Sequence, residues 1–181
     1  MVEVVEAIDP ELLECFHEEA EEHLDNIDRQ VNHLSETISD KAELTDLRRK
    51  TLHSVRRSVH TLKGAAAVIG LEQIAAWGHD FEDFLDWLHD EAQLITPDIV
   101  TAMQESADLL MRLVEDPTCS VHTEQQTIQE KTQEIIADKN NISSAENIVD
   151  EETLATPSEQ VAEKKVEPTA APAQQQRAKH T

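Results

Sequence analysis

A chain of 181 residues with 38 acidic and 15 basic side chains carries a formal net charge of -23, which repels nucleic acid and anionic membrane surfaces alike. Its longest apolar runs fall far short of the roughly 18 residues that a membrane span needs. Its opening MVEVVEAIDP lacks a basic n-region, so the sequence reads as soluble and cytoplasmic rather than secreted. Two cysteines, Cys15 and Cys119, show no metal or redox spacing, and Cys15 falls in a helical pattern as a small core filler.

Five helices follow in chain order. Asp9-Pro10 is an N-cap with proline at the first helical position. Behind it, Leu13, Phe16, Ala20, Leu24, Ile27, Val31 and Leu34 recur in steps of three and four. The second helix is expected from about Leu44 to Ile69, with Leu52, Val55, Val59, Leu62, Ala66 and Ile69 inward and Gly70 as its left-handed stop. A third, from about Glu72 to His89, buries Ile74, Gly78, Phe81, Leu85 and Leu88, with Trp77, Phe84 and Trp87 as core or bundle-edge packing. Thr96-Pro97 opens the fourth and Asp116-Pro117 closes it. A weaker fifth spans about Val121 to Ala137. No segment alternates with period two. Short connections between long helices predict an all-α fold: an antiparallel up-down four-helix bundle over residues 1–138 with an additional C-terminal helix, monomeric in isolation. Residues 139–181, rich in Glu, Ser, Thr, Ala, Pro and Gln, read as a disordered linker to a longer protein.

The three glycines, Gly64, Gly70 and Gly78, all lie in one stretch with His60. Helical phase turns His60 away from the apolar face of the second helix, and Lys63 and Gly64 follow one turn later on the same side. A lysine there offers a cation to phosphate oxygens, and the glycine clears the approach to the ring. The hairpin between helices two and three turns at about Leu71. His60 is eleven residues before that point and Glu82 eleven after, so the two come level. Glu82 can then hold one imidazole nitrogen and leave the other as a nucleophile, with His79 in the same region. Six of the ten bases in residues 1–138, namely Arg48, Arg49, Lys50, Arg56, Arg57 and Lys63, form a basic strip that would dock an acidic pocket.

His60-Thr61-Leu62-Lys63-Gly64, then Gly70-Leu71 and the His79…Glu82 pair, resemble a histidine phosphotransfer (HPt) domain. The resemblance is to the type found in chemotaxis kinases (CheA) and pilus-chemotaxis hybrid kinases, and covers about residues 9–138. Ala65 stands where many chemotaxis kinases have a second glycine. The resemblance implies a phospho-accepting His60, reactive at Nε2 and held at Nδ1 by Glu82. It implies that Lys63 contacts the phosphoryl group or the partner's aspartate, and that Gly64 gives access. It further implies phosphoryl transfer from a histidine kinase domain to receiver aspartates, with no cofactor in this domain and ATP and magnesium used by the kinase.

Two other readings compete. Helical bundles can hold metals on Glu/Asp-x-x-His pairs, and Asp86-Trp87-Leu88-His89 is one such pair, though a di-metal centre needs a matched set. An acidic adaptor without phosphotransfer chemistry would tolerate replacement of His60.

Overall fold

The computed structural model describes residues 8–138. The linker reading for residues 139–181 lies outside them. Five helices make up the fold: α1 (Pro10–Thr37), α2 (Asp46–Ile69), α3 (Glu72–Asp90), α4 (Pro97–Glu115) and α5 (His122–Ala137). Helix α2 packs on α1 and α3, and α4 closes the ring against both, while α5 lies on α3 and α4. This is the expected four-helix bundle with its additional helix.

The caps explain where the helices begin. Asp9 accepts a hydrogen bond from Glu11 N at 3.0 Å, with Pro10 behind it. Thr45 accepts from Arg48 N at 3.5 Å and Thr96 from Ile99 N at 3.3 Å. Because Thr45 is the cap, α2 starts at Asp46, two residues after the expected Leu44. Leu44 is buried instead in the preceding connection. There, β1 (Ala42–Glu43) pairs antiparallel with β2 (Leu94–Ile95), a two-residue bridge too short for any alternation to announce it. Arg49 fastens the same end by donating to the carbonyls of His89 and Ala92. Gly70, at φ 81°, takes the left-handed conformation that stops α2, and Leu71 N bonds back to Ala66 O at 2.9 Å.

The core fills the space between the helices with the expected stripes. Trp77 is 2% exposed and donates its indole N–H to Ser106 O at 3.0 Å, tying α3 to α4. Phe84 and Trp87 stack at the bundle edge, ring centroids 6.1 Å apart. Cys15 corrects the sequence reading: it is exposed, because it lies 100° around α1 from the buried Phe16 and off the inward stripe. A polar layer interrupts the α1–α2 seam. Asn26 donates to Ser54 Oγ at 3.2 Å and to buried Ser58 Oγ at 2.9 Å, with the His23 ring 3.4 Å from the same hydroxyl.

A carboxylate shared by His60 and Lys63

Helix α2 turns Leu62 and Ala66 into the core and leaves His60 outside, with its side chain 66% exposed. From α3, Glu82 comes level with it, as counting from the hairpin predicts. His60 Nδ1 lies 2.9 Å from Glu82 Oε1. The Glu82 side chain is only 8% exposed, and its other oxygen, Oε2, lies 2.6 Å from Lys63 Nζ. That second contact is close but poorly angled for a hydrogen bond, so it is best described as an ion pair. Burial pushes the Glu82 carboxyl up, but the contacts from Lys63 and then His60, with their charges, outweigh it and leave the group below the usual carboxylate value. Glu82 is therefore ionised at neutral pH and can only accept. The hydrogen on the neutral ring sits on Nδ1, and the lone pair of Nε2 faces solvent.

This pairing sets a pH dependence. A carboxyl held below its ordinary value of 4.5 contributes stability that is fully present above that value and lost as pH falls through the folded one. We expect wild type to exceed Glu82→Gln in urea stability at neutral pH and the gap to close in acid. A gap that widens on acidification would contradict the sign.

The glycines divide the work. A Cβ on Gly78 would sit 3.0 Å from Lys63 Cβ, so this buried glycine lets α2 and α3 approach at the point where the Lys63 stem crosses towards Glu82. A Cβ on Gly64 meets nothing within 4 Å. Nothing inside the bundle demands glycine at position 64, although it costs about 1 kcal/mol against alanine in a helix. On the clearance reading, the demand comes from a partner that must approach the ring from outside the bundle. Gly64→Gln should therefore keep or raise the melting temperature while slowing phosphoryl uptake about tenfold or more, since a misplacement of about 1 Å is that costly. Uptake at the wild-type rate would remove Gly64 from the site.

The structure does not bring His79 into this cluster. Its ring is exposed and pairs with Asp83, one turn along its own helix, at 3.2 Å. The basic strip also changes meaning. Arg48 bonds to Glu43 O, Arg49 to two carbonyls, Arg56 to Asp86 and Lys63 to Glu82. Of the six, Lys50 and Arg57 are left exposed and facing solvent. Sequence reasoning missed the Arg56–Asp86 pair. The spacing held a signal for it: position 56 is one turn before His60, and position 86 is one turn after Glu82.

No three His, Cys, Asp or Glu side chains cluster to hold a metal ion among the described residues. In the one Asp-x-x-His pair considered, Asp86 is taken by Arg56 and His89 by Asp90 at 2.7 Å. Among the same residues, no helix is long and apolar enough to cross a membrane.

Comparison with known proteins gives a consistent family. The chain is 30% identical over 103 residues to the chemotaxis protein CheA of Rhizobium meliloti, covering 57% of this chain and 12% of the relative. It is 29% identical over 103 residues to CheA of Bacillus subtilis, covering 57% of this chain and 14% of that one. The chain therefore spans only about an eighth of the length of the chemotaxis proteins it matches. The phosphorylated P1 domain of CheA3, solved in complex with CheY6 from R. sphaeroides, superposes with a TM-score of 0.56 at 18% identity, over 70% of this chain and 96% of that one. A histidine phosphotransfer domain of CheA in solution gives 0.51 at 23% identity, over 66% and 90%. At these identities the two structures speak for the fold alone. The family profile described as Hpt domain matches residues 11–114, more than half of the chain and every element of the four-helix bundle, and the chain belongs to that family.

Proposed function

We propose that this domain is the phosphoryl carrier of a chemotaxis-type phosphorelay, with His60 as the acceptor. The observation that carries the reading is the His60–Glu82 pair: one ring nitrogen bound to a buried carboxylate at 2.9 Å, on a ring that is 66% exposed. The neutral ring attacks phosphorus through its Nε2 lone pair. A P–N bond forms as the bond to the leaving ADP oxygen breaks. The positive charge that develops on the ring meets Glu82 across the Nδ1 hydrogen bond, a partner already in place before reaction. In the second step the P–N bond breaks, an aspartate oxygen of a receiver domain takes the phosphoryl group, and the ring returns to its neutral form. Lys63, one turn from His60, has a cation within reach of the transferring oxygens.

On this reading the domain holds no cofactor of its own. ATP and magnesium belong to a histidine kinase domain, receiver domains are the acceptors, and the parent protein works in the cytoplasm. One of the superposed structures supports the reading, since it is a phosphorylated P1 domain in complex with CheY6. The test is incubation of the chain with a CheA-type kinase core and labelled ATP. One phosphoryl group per chain is expected, in a bond lost in acid and kept in base, and it should pass to a receiver domain added afterwards. A stoichiometric label that survives acid would overturn the assignment to histidine.

A further inference from the structure

Three cationic or ionisable groups surround Glu82, and the role of one remains open. Arg56 Nη2 lies 3.9 Å from Glu82 Oε1, the oxygen that also holds His60. The guanidinium is fixed from the other side by Asp86. Its Nη2 donates to Asp86 Oδ2 at 3.2 Å, and its Nε contacts Oδ1. One hydrogen bond and one ion-pair contact thus hold the guanidinium against Asp86. Both partners are 39% exposed, so the pair is shielded in part from water.

We propose, resting on the phosphotransfer reading above, that Arg56 clamped by Asp86 is a positioning residue for phosphoryl uptake. It offsets the charge of Glu82, so that Glu82 can hold the His60 ring without drawing a second proton onto it. The logic is a sum of charges. A bare carboxylate against an imidazole favours the imidazolium, which has no lone pair and cannot attack phosphorus. Here Glu82 and Asp86 contribute two negative charges from α3, and Lys63 and Arg56 contribute two positive charges from α2. The local sum around the neutral ring is zero. The other charged groups near this face are Arg57, exposed on α2, and the His79–Asp83 pair on α3. Helix α1 contributes His23, which is bound to Ser58 about 200° around α2 from His60.

The test uses phosphoramidate, a small donor that needs no kinase docking. His60 Nε2 attacks its phosphorus, a new P–N bond forms, the donor's own P–N bond breaks, and the amine leaves as ammonia. Rates are read by phosphorus NMR between about pH 6 and 9. Arg56→Gln leaves the local sum negative, so uptake at neutral pH should fall about threefold and recover at alkaline pH. Arg56→Lys should restore most of the neutral-pH rate. Asp86→Asn shifts the sum the other way, so its profile should move to lower pH. Both shifts should shrink at high salt. Opposite directions are what charge balance requires and a merely structural role does not. Profiles that move together, or fall equally at all pH values, would overturn the proposal, as would an unchanged Arg56→Gln profile. Each variant is judged by its own sign, so loss of helicity in one leaves the other decisive. Absence of any His60 phosphorylation in the wild-type chain would instead count against the phosphotransfer reading itself.

Discussion

His60→Gln should abolish phosphoryl uptake from a CheA-type kinase core while leaving the far-ultraviolet circular dichroism spectrum and the melting temperature nearly unchanged. The ring is 66% exposed and makes no core contact. Its partner Glu82 keeps Lys63 at 2.6 Å, so removing the imidazole leaves no unpaired buried charge. Glutamine is a good helix former, and surface substitutions of this kind usually change stability by less than about 0.5 kcal/mol. What disappears is the nitrogen lone pair, and no amide can replace it as a nucleophile. Label that persists in this variant, or that moves to His79 or His89, would displace His60 as the acceptor. An adaptor without chemistry would bind its partners equally well in either form.

The largest effect on the fold is expected at Trp77. Its side chain is among the largest fully enclosed ones, and it joins α3 to α4 through Ser106 O at 3.0 Å. Trp77→Ala removes that volume and strips the carbonyl of its side-chain donor. Truncations of this kind cost about 3–5 kcal/mol, a large share of the stability of a domain this size. Urea unfolding should show a midpoint shift of that order with little change in slope. A loss below about 1 kcal/mol would mean that the bundle closes over the cavity. Because Trp77 lies one turn before Phe81 and Glu82 on the same helix, the variant should also loosen the site while leaving its residues intact.

Much of this was legible because it depends on backbone phase. Caps such as Thr96-Pro97 and the stop at Gly70 announce helix ends. Counting eleven residues either side of the turn brings His60 and Glu82 together without knowledge of any side chain. What stayed hidden depends on the reach of long side chains across the groove between two helices. Lys63 bends to the same carboxylate as His60, and Arg56 passes Glu82 to grip Asp86. Helical spacing alone put His79 near Glu82, but its flexible ring found Asp83 on its own helix. Gly78 read as a core position. Only the packed pair shows that its missing Cβ makes room for the Lys63 stem. The β1–β2 bridge is two residues long on each side, below the length at which a pattern can exist.

The bonds made by the basic strip also bear on how quickly partners find this surface. Arg56 and Lys63 spend their charge on carboxylates of the same chain, while Arg48 and Arg49 bond to neutral carbonyls and keep theirs. Lys50 and Arg57 are the members that face outward unpaired, on a domain whose described portion is otherwise strongly acidic. Attraction at a distance therefore comes from about four charges rather than six, set against a strongly acidic domain. Encounter with an acidic receiver pocket should be only mildly sensitive to ionic strength and should sit towards the unsteered end of association rates, near 10⁵–10⁶ M⁻¹s⁻¹ in order of magnitude. On the phosphotransfer reading, weak steering slows encounter with a kinase and a receiver alike and leaves release to the short-range contacts.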